Sequence, residues 1–361
     1  MIETTIPSEQ TPGAHFGIGY TRYLGPDGKP VATLPPNLAD PALAIALYRA
    51  LVRTRSFDEK AIALQRTGRL GGYAPSLGQE AVFVGAASAM RPEDVFVPSY
   101  REHGAQLWRG ATPQELLFYW GGDERGSSFA KAPGDLPNNV PVGSHSAHAV
   151  GIALAFALRK EARVALAIFG DGATSKGDFA EALNFAGVWK LPVVYVINNN
   201  QWAISLPRRK QSAAETLAQK GVAAGVRGEQ VDGNDVLAMH AVCAAALERA
   251  RAGGGPSLIE ALTYRLGDHT TADDASRYRS DAEVSPHWDE EPVRRLQSYL
   301  TSIGKWSRDD QERVLAEMKG EMDAAAEAYL ATPPQAPSTI FDFTYATLPA
   351  ELRRQKESAL R

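Results

Sequence analysis

Residues 164–202, VALAIFGDGATSKGDFAEALNFAGVWKLPVVYVINNNQW, constrain the fold of this chain more than any other stretch. The apolar run 164–169 is short and unbroken, the pattern of a strand buried on both faces of a parallel sheet. It breaks at Gly170-Asp171-Gly172, where glycines permit a tight turn and close approach of a ligand to the backbone. Asp178, with Glu181 three residues on, reads as a capping box. It opens a helix with Phe179, Ala182, Leu183, Ala186 and Trp189 on its inner face. Leu191-Pro192 closes that helix, and 193–197 is a second buried strand stopped by Asn198, Asn199 and Asn200. The stretch is a β-α-β unit.

Parallel strands place Asp171 and Asn200 at neighbouring carboxyl ends, where open α/β sheets bind ligands. One charged and one neutral oxygen ligand suit a Mg²⁺ ion that keeps water or phosphate oxygens in its shell. Backbone N–H groups at the turn, on Gly172 and Ala173, can hold the same phosphates. Singly, an Asp after a strand is most often a helix cap, and Asn clusters are often plain turns. Together across one β-α-β unit they point to a metal-bridged diphosphate.

Composition narrows the class. The chain has 361 residues, of which 44% are hydrophobic, enough for a sizeable core in one large α/β domain or two smaller ones. A net charge of −4, mixed along the chain, suggests neither nucleic acid nor an anionic membrane as partner. The single cysteine, Cys243, leaves no intrachain disulfide or cysteine metal cluster and reads as a buried thiol. No run reaches the apolar length of a membrane span. The first residues, MIETTIPSEQTPG, carry no basic or hydrophobic leader pattern, so the expected location is the cytoplasm.

Residues 1–39, rich in Pro and Gly, read as an arm lying on another surface, such as a partner subunit's. A helix begins at Asp40-Pro41, carries Leu43, Leu47 and Leu51 on one stripe, and runs to Gly68. Residues 71–80, GGYAPSLGQE, form a loop entering a helix, with Gln79 and Glu80 equally readable as capping residues. A strand at 94–98 leads to Ser99-Tyr100-Arg101-Glu102-His103-Gly104. Arg101 offers a planar fork of donors suited to phosphate; a solvated salt bridge is the plain alternative. Thr112-Pro113-Gln114-Glu115 is a capping box that starts a helix to Trp120. The Gly/Pro/Asn loop 121–142 is long enough to suggest function. Residues 143–148, GSHSAH, precede a helix at 149–158. Its His145 and His148 lack a third metal ligand at suitable spacing. We read His145 as a hydrogen-bonding group facing the site and His148 as helix packing. Beyond Asn200, VDGND turns into an alanine-rich helix to Ala252, and 257–264 is another buried strand. The polar stretch 265–283, RLGDHTTADDASRYRSDAE, follows a strand end and can overhang the ligand crevice. Its His269 is the candidate acid–base or polarising group, because imidazole titrates near neutrality. Helices follow at 292–303 and 307–330. An aromatic, then basic tail is too short to fold alone and is expected to pack on a neighbouring subunit.

The words GDGATSKGDFAEALNFAGVWKLPVVYVINNNQWAIS resemble the alpha subunit of the decarboxylating component of 2-oxo acid dehydrogenase complexes. The resemblance runs from about residue 40 to the end. It implies the thiamine-diphosphate-binding fold, with thiamine diphosphate and Mg²⁺ as cofactors. By that resemblance Asp171, Asn200 and the backbone carbonyl of Trp202 ligate the metal. Tyr100, Arg101, Gly172, Ala173 and His269 meet the cofactor's diphosphate end, and the main chain near Val140 and Val142 meets its aminopyrimidine ring. His269, in a G-x-H-[ST] motif, is the catalytic histidine. Ala74 stands where some relatives carry an active-site histidine, so that loop reads as pocket wall. Ser280 resembles a phosphorylated loop serine of mitochondrial relatives, without any sign of a kinase.

The expected fold class is therefore α/β, a mainly parallel sheet with helices on both faces. An arm occupies residues 1–39, the cofactor-binding domain 40–290 and a helical extension 291–361. The resemblance implies an α₂β₂ heterotetramer in which a beta subunit supplies the glutamate that activates the cofactor. The acetyl group then passes to the lipoyl domain of an acyltransferase. Pyruvate is the expected substrate. A branched-chain 2-oxo acid is the first alternative, and a non-catalytic phosphate-binding module on the same fold is the distant one.

Overall fold

The computed structural model describes residues 16–342 and 344–360. The first fifteen residues of the expected arm thus lie outside the described residues. In chain order the strands are β1 (Tyr20–Thr21), β2 (Val95–Val97), β3 (Ala165–Gly170), β4 (Val193–Asn199), the short pair β5 (Trp202–Ala203) and β6 (Leu206–Pro207), then β7 (Arg227–Asp232) and β8 (Ser257–Leu262). Six of them form one parallel sheet in the order β1-β7-β8-β4-β3-β2, while β5 and β6 pair antiparallel beside it. All seven residues of β4 are buried, as expected of a central strand covered on both sides.

The helices are α1 (Pro41–Arg66), α2 (Glu80–Ser88), α3 (His103–Arg109), α4 (Pro113–Trp120), α5 (His145–Arg159), α6 (Gly177–Trp189), the short α7 (Arg208–Gln211) and α8 (Gln219–Ala223), α9 (Val236–Arg251), α10 (Asp281–Val284), α11 (Pro292–Ser302) and α12 (Arg308–Ala331), with two further short helices in the tail. Side-chain alternation assigns their faces. Leu166, Ile168, Val194 and Val196 meet α2 and α9 through Phe83, Met239 and Val242. Ala167, Phe169, Tyr195 and Ile197 point the other way, onto Ala149 and Ala153 of α5 and Phe179 and Leu183 of α6. A third layer lies outside α2. There Leu47, Tyr48 and Leu51 of α1 pack with Leu296, Tyr299 and Leu300 of α11 and Val314 and Met318 of α12.

Helix starts follow the expected chemistry in most places. Asp40 caps α1 through Ala42 N–H, the Thr112–Glu115 capping box is formed, and a further box, Ser307–Asp310, opens α12. The Asp178–Glu181 box is not. The chain leaves β3 through a turn of 3₁₀ helix, Asp171–Ser175, so α6 starts at Gly177 behind Lys176, which makes no side-chain cap. Asp178 instead lies in the first turn, where its charge still favours the helix dipole. Trp189 is 55% exposed rather than inward, and stacks on Phe185 at 5.3 Å between ring centroids. Helix α5 begins four residues earlier than its apolar run, because the turn at Gly143 (φ +84) already bends Ser144 into helix, so both histidines are helical.

The described part of the arm lies on this chain's own sheet. Tyr20–Thr21 pair with Gln230–Val231 of β7, a strand whose polar sequence RGEQVD hid it. Asp235 anchors the arrangement. Its Oδ2 accepts from the backbone N–H of Tyr23 and Leu24, both at 2.7 Å, and its Oδ1 accepts from Leu237 and Ala238 at the start of α9. Four backbone donors share one fully buried carboxylate. Asp235→Ala is therefore expected to destabilise the fold by roughly 3–5 kcal/mol, a lost cap plus buried donors left unmatched. Asp235→Asn should lose about half of that, since one amide oxygen still accepts. Urea unfolding of the two variants against the parent checks both, and a loss below about 1 kcal/mol for the alanine variant would contradict the role.

Candidate functional site

The carboxyl ends of β3 and β4 open into a cavity of about 230 Å³. Register brings the two tips together: Gly170 pairs with Asn198, so Asp171 and Asn200 continue side by side into its wall. Tyr100, Arg101, Val142, Gly172, Ala173, Trp202 and His269 line the same cavity, as does His145. Val140 does not; it is 56% exposed outside it. His148 is exposed, with Nδ1 3.4 Å from the Asn139 amide. A side chain at position 172 would bring its Cβ to 2.9 Å from that of Ala203, which is why the turn needs glycine there.

Asp171 is buried, and its Oδ2 has no hydrogen-bond partner. Burial pushes its carboxyl up to about 6, although backbone N–H groups and the charge of Arg265 act in the opposite direction. On the other side of the cavity stands positive charge that is equally unmatched. Arg101 donates to Pro75 O at 2.6 Å, to His269 O at 2.9 Å and to His269 Nδ1 at 3.1 Å. Arg265 donates to Ile204 O and Tyr278 Oη at 2.8 Å and, at 3.3 Å, to Trp202 O and His269 Nδ1. Among these partners there is no carboxylate. The cavity wall thus holds the buried carboxylate of Asp171 and the buried guanidinium of Arg101, which do not neutralise one another, while Arg265 is buried behind Trp202 and His269. A cation at Asp171 bridged to an anion at Arg101 satisfies both. Among the described residues no three His, Cys, Asp or Glu side chains converge, so such an ion would draw on amide, carbonyl and phosphate oxygens.

The two guanidiniums define the state of His269. Both donate to Nδ1, so that nitrogen carries no proton, and the neutral ring presents Nε2–H. Desolvation, then the charges of Arg101 and Arg265, lower its pKa to about 3. The ordinary imidazole titration near neutrality therefore does not apply to this ring with the arginines unmatched. His269 is a neutral donor at physiological pH.

Neighbouring loops hold these groups from behind. Trp120 Nε1–H donates to His103 Nε2 at 2.9 Å, which places the His103 proton on Nδ1. Ser76 Oγ and Tyr73 Oη, 3.2 and 3.3 Å from Nδ1, already donate to Arg101 O and Asp58, so both accept from it. The ring locks the loop at 73–76 to the backbone of Arg101. Arg279 clamps the other side, donating to the carbonyls of Arg265, Leu266 and Gly267. The β5–β6 hairpin is strained, with Gln201 at φ 71 and the β-branched Ile204 at φ 56 against the cavity.

Several wall residues were not singled out from sequence. Glu102, pushed up to about 7 by burial, follows the Tyr-Arg pair directly. Asn198 looked like part of a turn, and Gln211 sits in a helix of four residues without a motif. His145 was read from sequence as facing the site. It donates Nε2–H to Ile168 O at 2.9 Å, leaving a buried, unpartnered Nδ1.

An unmatched carboxylate leaves a trace in stability. Asp171 has a raised pKa in the fold, so its penalty is absent below about pH 4 and complete above about pH 7. With divalent ions chelated, the protein should lose up to about 3 kcal/mol through this group as pH rises across that window. Asp171→Asn should remove the loss and be the more stable form at pH 7.5. Melting curves of the two proteins from pH 4.5 to 7.5 test this; a gap that does not change with pH would contradict it.

A family model described as "Dehydrogenase E1 component" matches residues 48–338. The chain is 44% identical over 337 residues to the 3-methyl-2-oxobutanoate dehydrogenase subunit alpha of Mycobacterium tuberculosis (strain ATCC 25618 / H37Rv), covering 93% of this chain and 92% of that one. It is 44% identical over 317 residues to the pyruvate dehydrogenase E1 component subunit alpha of Acholeplasma laidlawii, covering 87% and 91%. The same subunit of Staphylococcus aureus (strain Mu50 / ATCC 700699) is 39% identical over 325 residues, covering 90% and 88%.

Proposed function

This chain belongs to the dehydrogenase E1 component family, and we propose that it is the alpha subunit of a thiamine-diphosphate-dependent 2-oxo acid dehydrogenase acting on pyruvate, with reductive acetyl transfer to a lipoyl group. The observation that carries the reading is the presence in one cavity wall of the unmatched Asp171 carboxylate and the Arg101 guanidinium, with Arg265 behind them on His269. Asp171 Oδ2, the Asn200 amide oxygen and the Trp202 carbonyl would hold Mg²⁺. Trp202 O keeps a lone pair free beside its long contact with Arg265. Arg101, Tyr100 and the backbone N–H groups of Gly172 and Ala173 would hold the diphosphate, and main-chain groups near Val140 and Val142 the aminopyrimidine. When bound, thiamine diphosphate supplies a nucleophilic carbon and an electron sink for decarboxylation.

The chain's own residues then position, shield and deliver protons. His269 donates Nε2–H toward the reaction centre and polarises an oxygen there. Phosphate charge on Arg101 offsets one of the causes that depress the His269 pKa, so ligand binding and the basicity of this ring rise together. The cavity is smaller than the roughly 300–1,000 Å³ of self-sufficient small-molecule pockets. That size supports a site completed by a beta subunit in an α₂β₂ assembly, with a lipoyl domain of the acyltransferase approaching near the 265–283 loop. Among the described residues no helix is long and apolar enough to cross a membrane; our reading places the enzyme in the cytoplasm. A branched-chain acid is the second reading, favoured by the 44% identity to the mycobacterial subunit named for 3-methyl-2-oxobutanoate.

Co-expression with the beta subunit, followed by dye reduction with pyruvate and with 3-methyl-2-oxobutanoate, tests the assignment. Pyruvate should give the higher kcat/KM, and the reverse ranking would move the chain to the branched-chain reading. The isolated alpha chain should be inactive with cofactor, Mg²⁺ and pyruvate; turnover by it alone would remove the partner requirement. Asp171→Ala should weaken cofactor binding by 100-fold or more, on the order of 3 kcal/mol. His269→Ala should change binding by less than about fivefold while slowing acyl transfer by roughly 10²–10⁴. Equal losses in calorimetric affinity and in turnover would contradict the role given to His269.

A further inference from the structure

The direction in which the Asn200 amide points is decided by groups outside the β-α-β unit. The backbone N–H of Trp202 can only donate, and it lies 3.1 Å from Asn200 Oδ1. The amide oxygen must therefore face the hairpin, and Nδ2 must face away from it. Nδ2 lies 2.7 Å from Gln79 Oε1, and Asn198 Nδ2 lies 2.8 Å from the same oxygen. One donor-only group thus orders three amides in sequence, so their orientations follow from hydrogen-bond logic. Gln79 is fully buried and stands at the N-cap of α2, yet its side chain makes no capping bond. Its surroundings are fixed. Glu80 Oε2 accepts from Gly78 N–H at 3.0 Å, Arg55 ties Glu80 to Glu291, and any side chain at Gly78 would meet Tyr264 O at 2.6 Å.

We propose that Gln79 is a positioning residue for the metal site: its Oε1 holds the Asn200 amide so that oxygen, not N–H₂, meets the cation. The inference rests on the reading of Asn200 as a magnesium ligand. Without an acceptor at position 79, two buried amide N–H₂ groups lose their partner, and the Trp202 N–H alone is left to hold the Asn200 amide. A flipped Asn200, which would satisfy its N–H₂ elsewhere at the loss of that one bond, would oppose a cation. A side chain that only filled space would influence folding and leave metal affinity alone.

The test uses the co-expressed alpha–beta assembly at saturating thiamine diphosphate, with Mn²⁺ affinity read by electron paramagnetic resonance and Mg²⁺ affinity by competition. Gln79→Leu and Gln79→Met should bind Mn²⁺ about 10–100-fold more weakly, the range seen when support of a metal ligand is removed. Gln79→Glu, which still accepts from both amides, should stay within about threefold of the parent. Parent-like affinity in the leucine or methionine variant overturns the proposal, as does equal weakening in the glutamate variant. Failure of both apolar variants to assemble while the glutamate variant assembles also overturns it, because Gln79 is then a folding residue. A parent that binds no Mn²⁺ with thiamine diphosphate would instead sink the function proposed above, and this inference with it.

Discussion

The buried carboxylate of Asp171 and the buried guanidinium of Arg101 line one cavity without pairing, with Arg265 buried behind, and the architecture around them keeps them so. Left to themselves, Asp171 and the arginines would relieve the penalty of burial by pairing. They are prevented because each is fixed from behind. Asp171 directly follows the buried strand β3, while Arg101 and Arg265 are held by backbone carbonyls on separate loops. Charges kept apart in this way are pre-organised for a ligand that carries both signs. The fold carries the resulting electrostatic strain in the absence of ligand, and binding releases it.

Rigidity at the tips comes from the layers outside the sheet. Arg55 of α1 joins Glu80, at the start of α2, to Glu291, which caps α11. The C-terminal helices thereby brace the loop that carries Gln79, from more than two hundred residues away. Asp232 does similar work at the other edge, where Arg22 of the arm and Arg295 of α11 meet on one buried carboxylate. Segments that read as appendages in sequence are braces in the structure.

The centre of the molecule was legible because it obeys local rules. An unbroken apolar run bounded by glycine gives a buried parallel strand, and the register of β3 against β4 then follows from the length of one crossover. That was enough to bring Asp171 and Asn200 to one wall. What escaped was non-local. Strand β7 is polar because it lies near the sheet edge under the arm, so RGEQVD carries no periodic signal. Gln79 looked like a cap because its real partners are 119 and 121 residues away. The state of His269 was missed for the same reason: a lone loop histidine gives no sign of two guanidiniums folded against one nitrogen. Trp189 shows the limit of helical periodicity, which finds a stripe but not how far the sheet extends beneath it.

The two-residue strand β1 has an effect out of proportion to its length. Among the described residues it is the strand that pairs with the outer edge of β7, whose N–H and C=O groups would otherwise stand open to solvent as a template for another strand. Proteolytic clipping just after residue 22 would strip that cover and release Arg22 from Asp232 together. The trimmed protein would then be prone to edge-to-edge self-association while its cavity stayed intact, so loss of solubility and loss of ligand affinity would be separable injuries.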